Sequence, residues 1–150
     1  MDFHTPLIRA ILLKRYKRFL ADVKLEDGRE VTAHVANPGS MLGMKDEGTV
    51  VWLEPNDDPK RKLNYSWKLA EVNGATIVVD TAAANKVVGA ALRAGLVGPL
   101  AAYSEVRAEV KYGEASRIDF LLQGDKLPDC YVEVKSVTLS RQAGLAEFPD

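Results

Sequence analysis

Apolar and polar positions alternate in two early stretches of the chain. Phe19, Ala21, Val23 and Leu25 are interleaved with Asp22 and Lys24, and Val31, Ala33 and Val35 with Thr32 and His34. A period of two puts every second side chain on one face, the mark of a half-buried strand. Glu26-Asp27-Gly28-Arg29 separates the two stretches and places Asp-Gly at the tip of a hairpin. The segment before it reads two ways. Leu7, Ile8, Ile11, Leu12, Tyr16, Phe19, Leu20 and Val23 also fit a helical face. The hairpin at Gly28 favours a strand for the later half. Residues 48–53 read as a buried strand, and 54–59, with two prolines, as a loop. Residues 67–72 and 75–79 flank Asn73-Gly74, a strong short-range hairpin signal. Residues 7–80 therefore predict five strands and no long helix. A small barrel of this kind suits an OB-fold, which often binds oligonucleotides.

The texture then changes. Residues 81–96 are alanine-rich, with Val87, Val88, Ala91 and Leu92 at helical spacing. Thr81 or Asn85 is a candidate cap for the helix start and Gly95 for its end. Gly98-Pro99 breaks the chain, and Val106, Ala108 and Val110 alternate within a strand over 103–112. Two further strands, 118–122 and 130–137, are expected around the turn residues Gly124-Asp125 and Pro128-Asp129. The predicted class is mixed α+β: an OB-like barrel over 1–80 and an α/β domain over 81–150.

The last strand pair carries the first candidate chemistry. On the second strand Val132 and Val134 alternate with Glu133 and Lys135, and Asp119 on the first can reach the same polar face. Two carboxylates suit a hard cation such as Mg²⁺ or Mn²⁺, which also takes water and phosphate oxygens. A lysine two residues on would hold the attacking water or offset charge on the phosphate. Asp119…Glu133-x-Lys135 resembles the PD-(D/E)xK nuclease core. The literal Pro128-Asp129 is a false lead, because four residues before Glu133 leave no room for a strand and a turn. Asp119 is the better partner, although Arg-Ile-Asp stands where Pro-Asp is expected. Alternating charges on a strand are more often a solvated face, with Glu133 and Lys135 simply paired across water.

Composition narrows the reading. The 150 residues are 47% hydrophobic and 27% charged, which suits one ordinary globular domain or two small ones. A net charge of −1 means that any contact with a polyanion must come from a local patch. Arg9, Lys14, Arg15, Lys17 and Arg18 form such a patch, with no acidic residue among them and with Tyr16 and Phe19 as stacking surfaces. Lys60-Arg61-Lys62, followed by Tyr65 and Trp67, is a second one. The competing reading of both is a solvated surface whose aromatics pack inward. His34 is a candidate ligand contact, but two histidines in the chain leave no room for a histidine metal cluster. Cys130 is the single cysteine, so neither a disulfide framework nor a cysteine zinc site is expected. No signal peptide and no membrane-spanning run are read, and a cytoplasmic location is expected.

Five segments, taken in order, resemble the bacterial sugar fermentation stimulation protein A family. They are residues 15–23, Asn37-Pro38-Gly39-Ser40-Met41, Arg61-Lys62, residues 116–120 and residues 130–139. The resemblance implies an N-terminal OB-like barrel followed by a PD-(D/E)xK nuclease-like α/β domain. It also implies DNA binding with little sequence preference and a regulatory role in maltose metabolism. By position, Asp119, Glu133 and Lys135 match the nuclease-like motif, with Asp119 and Glu133 as ligands for Mg²⁺ or Mn²⁺. Arg15, Lys17, Arg18, Arg61 and Lys62 fall in the DNA-binding stretches. Members of that family continue past Phe148-Pro149-Asp150, so the second domain is expected to be truncated at its C-terminal end. A homodimer is compatible with this reading. Two alternatives stand beside it: an active metal-dependent DNA endonuclease, and a protein-interaction module without DNA binding.

Overall fold

A computed structural model describes residues 3–142 and 144–148. The chain divides into two compact units, one holding residues 3–81 with the tail from Val137, the other residues 82–136.

The first unit is built from six strands: β1 (Ile8–Tyr16), β2 (Leu20–Leu25), β3 (Glu30–Val35), β4 (Val50–Pro55), β5 (Tyr65–Val72) and β6 (Ala75–Val78). They are ordered β3-β2-β1-β4-β5-β6, and a parallel pairing of β3 with β5 closes the first five into a barrel. Five strands were expected; the ambiguous stretch over 7–25 turns out to be two. Alternation fills the interior. Ala21, Val23 and Leu25 of β2, Ala33 and Val35 of β3, Val51 and Leu53 of β4 and Trp67 of β5 are all buried there.

β1 must serve two neighbours. Its first half pairs with β4 and most of its length with β2, and the register with β2 shifts between Leu12 and Lys14. One extra residue in a strand changes which face the following side chains take. Leu12 is buried, Lys14 pairs with outward-facing Asp22, and Arg15 pairs with buried Ala21. The bulge thus turns Lys14 out and Arg15 toward the barrel interior. At the β5–β6 turn Asn73 and Gly74 both have positive φ, 51° and 78°, as the Asn-Gly hairpin requires.

In the second unit helix α1 (Ala82–Arg93) packs on a three-stranded antiparallel sheet, β7 (Glu105–Tyr112), β8 (Ser116–Gln123) and β9 (Cys130–Val132). Leu92, Phe120 and Leu122 form its core, with Val88, Val106, Val132 and Val134 against them. Gly89 permits the approach: a Cβ there would stand 2.9 Å from the ring of Phe120. The helix stops at Arg93, with Gly95 closing its end as the sequence suggests. The Leu96 amide donates to the Ala91 carbonyl and the Gly95 amide to that of Leu92, with Gly95 at φ 65°. That bonding pattern closes the last turn and releases the chain.

β9 falls short of expectation, ending at Val132 instead of 137. The cause lies on β8. The next ladder position opposite the end of β9 is Asp119, and its carboxylate takes the Val134 amide at 2.7 Å. A side chain therefore replaces the main-chain partner and the ladder stops. Glu133 and Lys135 stand just beyond the strand, not on it.

Candidate functional site

Asp119 is held from two sides. Its Oδ1 accepts from Asn85 Nδ2 at 2.6 Å and its Oδ2 from the Val134 amide. Asn85 is no cap, as one sequence option had it, but a residue within α1 on the same face as Gly89 and Leu92. Close packing of Gly89 on Phe120 brings Asn85, one turn earlier, to Asp119. The sequence reading missed this partner. A polar residue on the apolar face of an alanine-rich helix is the signal that points to it.

Lys135 Nζ donates to Glu133 Oε1 at 2.7 Å, and both side chains are about half exposed. The hydrogen bond to Glu133 holds the Lys135 pKa above its usual range, with the charges of Glu133 and then Asp119 adding to it. Asp119, Glu133 and Lys135 thus share one electrostatic neighbourhood. Glu109, across from Asp119 on β7, adopts a left-handed φ of 55° in mid-strand, and the ladder passes over it between Ala108 and Val110. Such strain in a non-glycine residue persists only where the surroundings impose it. Asp129, the false lead, lies in the β8–β9 loop and accepts from Gln123 at the end of β8.

The donor set suits a hard cation in part. Each carboxylate oxygen has two lone pairs, so Asp119 keeps acceptor capacity after binding Asn85 and Val134. Among the described residues no three acidic, histidine or cysteine side chains gather at one point. Two carboxylates with water and phosphate completing the shell match the way Mg²⁺ is commonly held.

The second candidate region is one end of the barrel. Arg15, turned inward by the bulge, donates from Nη2 to the carbonyls of Arg18, Asn37 and Gly39, each at 2.9 Å. Burial, and after it the like charge of Arg18, lowers its pKa. Its Nε is buried without a hydrogen-bond partner. Arg15 therefore ties the β1–β2 turn to the Asn37-Pro38-Gly39 turn. Lys17 and Arg18 form that β1–β2 turn, both exposed and both at positive φ, 49° and 62°.

Arg61 and Lys62 lie in the β4–β5 loop, also exposed. Asn56 closes this loop, its amide bonding Asn64 and its side chain Leu63. Pairing places the two loops at the same end. Leu20 is opposite His34, and His34 is opposite Ser66. Two strand spacings, about 10 Å, separate the start of β2 from the start of β5. Exposed His34 stands between them. Trp67 is core and Tyr65 packs against it, so the aromatics after the second basic cluster point inward. Among the described residues no salt bridge engages Lys17, Arg18, Arg61 or Lys62.

A model of the SfsA N-terminal OB domain matches residues 13–79, and a model of the sugar fermentation stimulation protein RE domain matches residues 82–150. The chain belongs to the SfsA family. SfsA relatives align along the whole chain. It is 68% identical to a sugar fermentation stimulation protein homolog of Ruegeria sp. (strain TM1040) and covers 65% of that protein. It is 62% identical to the homolog of Ruegeria pomeroyi and covers 66% of it. The chain thus spans just under two thirds of the length of these curated relatives. The structure of Pyrococcus furiosus SfsA in complex with Ca²⁺ is similar with a TM-score of 0.82 and 27% identity, over 99% of this chain and 62% of that one. No helix among the described residues is long and apolar enough to cross a membrane.

Proposed function

We propose that this SfsA-family chain binds DNA with little sequence preference through the cationic end of its barrel, as a cytoplasmic regulatory factor in sugar (maltose) metabolism. The observation that carries the reading is the convergence of Lys17 and Arg18 with Arg61 and Lys62 around His34. These loops, between β1 and β2 and between β4 and β5, are the ones OB-folds use for oligonucleotides. Cations on loops reach phosphates without reading base edges, which gives affinity but little sequence preference. Arg15 acts by holding the turn.

Gel retention of duplexes of unrelated sequence, titrated with salt, tests the reading. Similar affinities that fall steeply with salt are expected, with a shallower slope after Lys17→Ala and Arg18→Ala. No retention at low salt would sink it and favour a protein-interaction module instead.

A second reading, a Mg²⁺- or Mn²⁺-dependent endonuclease, is favoured by the Asp119–Glu133–Lys135 neighbourhood and by the Ca²⁺ complex of the Pyrococcus furiosus relative. Asp119 and Glu133 would hold the metal, which when bound neutralises phosphate charge and acidifies water. Asn85 and the Val134 amide orient Asp119, and the Lys135 ammonium offers a donor to a phosphate oxygen. Calorimetry with Mn²⁺ on Asp119→Ala and its parent, beside a cleavage assay, tests it. Equal heats from both proteins count against it.

A further inference from the structure

Phe19 is exposed on a turn whose carbonyls at 17, 18 and 19 are all hydrogen-bonded. Its amide donates to the Lys17 carbonyl at 2.7 Å, and its own carbonyl accepts from the Val35 amide at 2.8 Å. The Arg18 carbonyl is taken by Arg15. Two successive non-glycine residues, Lys17 and Arg18, sit in the left-handed region to make this turn. That conformation costs roughly 1–2 kcal/mol per residue. A strained turn whose carbonyls at 17, 18 and 19 are each hydrogen-bonded is a constrained platform, and what it displays is Phe19, 47% exposed and next in the chain to two cations.

The neighbouring aromatic is already committed. Tyr16 donates its hydroxyl to Asp22 and carries the Lys14 ammonium 5.9 Å from its ring centroid. Asp22, the nearest acid along β2, also accepts from Thr32, so its charge is engaged away from the tip. The free face belongs to Phe19. An apolar ring that directly follows Lys17 and Arg18 in the chain matches a partner that is anionic along its backbone and flat and aromatic beside it.

We infer that Phe19 stacks on an unpaired nucleobase and gives the protein a preference for single-stranded over fully paired DNA. The inference rests on the DNA-binding reading and deepens it. In a duplex both faces of a base are covered by its neighbours, so a ring at the surface finds only phosphate and sugar. On a single strand every base has an accessible π-face.

The experiment compares the full chain on two labelled oligonucleotides of equal length and charge, one of thymidines and one of abasic residues, with a thymidine–adenosine duplex as a third arm. The parent is expected to bind the base-bearing strand about fivefold to a hundredfold more tightly than the abasic one, the range that base–aromatic stacking provides. In Phe19→Ala the ratio of the two affinities should collapse toward one. Phe19→Trp should restore it and add indole fluorescence that the thymidine strand, but not the abasic strand, quenches. A ratio unchanged in Phe19→Ala, or a parent that prefers neither strand or favours the duplex, overturns the inference while DNA binding stands. Failure to retain any of the three removes both.

Discussion

Asp119 offers the sharpest test because it has a structural duty whether or not it holds a metal. Replacing it with alanine removes the acceptor for Asn85 Nδ2 and for the Val134 amide together. A hydrogen bond to a charged acceptor contributes about 1.5–3 kcal/mol. Both bonds are only part-buried, so water replaces some of the loss. Together they should contribute about 2 kcal/mol to closure of this corner of the sheet, close to the low end for one fully buried bond. That corresponds to roughly thirtyfold in an opening equilibrium. The assay is native-state amide hydrogen exchange, which reads local opening residue by residue. Val134 should exchange roughly thirtyfold faster in Asp119→Ala, while Leu12 and Val51 amides in the barrel stay unchanged. Asp119→Asn should fail almost as badly, since its NH₂ would face a donor on one side. Val134 protection within about threefold of the parent would refute the claim that this carboxylate ends the β9 ladder.

Three further outcomes follow from other contacts. Burial raises the Glu54 pKa, but the His4 amide and the Lys68 ammonium outweigh it, leaving the carboxyl below its ordinary range. A depressed carboxylate stabilises the fold above its unfolded value and loses that contribution as pH falls through the folded one. Urea unfolding from about pH 6 to pH 3 should show this loss in the barrel. Lys68→Met leaves Glu54 without its cation, lowers stability by roughly 2 kcal/mol at neutral pH and flattens the acid slope. Gly89→Val drives carbon into Phe120 and should destabilise the second unit by about 1–3 kcal/mol, with partial recovery in the Gly89→Val, Phe120→Leu double variant. Arg15→Met should cost about 1–3 kcal/mol of barrel stability by leaving three carbonyls without their donor, yet leave the salt slope of DNA binding near the parental value. A slope that drops by about one unit would make Arg15 a phosphate contact after all.

Local chemistry explains which parts of the fold the sequence disclosed. The β2–β3 and β5–β6 hairpins were readable because Asp27-Gly28 and Asn73-Gly74 announce their turns. The β1–β2 hairpin was not, since its turn uses Lys17 and Arg18, residues with no turn preference, and is held by a guanidinium from within β1. The helical face read over 7–25 is a coincidence of spacing that the bulge at Leu13 makes worse, because it breaks the period of two. The end of β9 was illegible for a different reason. It is set by a side chain fifteen residues earlier in the chain. Asp119, Glu133 and Lys135 could be nominated from spacing alone, but Asn85 could not, because its role depends on a helix packing at glycine distance on β8. Closure of the barrel through β3 and β5 is equally non-local, and it is what brings the two basic loops to one end.

Both candidate regions lie where a ladder runs out and a side chain takes over the main chain's hydrogen bonding: Arg15 for carbonyls at the β1–β2 turn, Asp119 for an amide at the end of β9. If the cations at the turn serve binding, the turn is not tuned for stability. Lys17→Asn with Arg18→Gly places at the two left-handed positions the residue types that adopt positive φ with least strain. Relief of left-handed strain at two positions should stabilise the barrel by roughly 1–2 kcal/mol, less than the full relief because the glycine also loosens the unfolded chain. The Arg15 bond to the carbonyl at position 18 survives, as it needs no side chain there. DNA affinity should fall at the same time, through two lost phosphate contacts and a salt slope shallower by about one to two units. Gain of stability with loss of binding is the pattern of a site held against its own backbone preference. A double variant that unfolds at lower urea than the parent would show instead that Lys17 and Arg18 are there to build the turn, and the cationic tip would lose its claim to function.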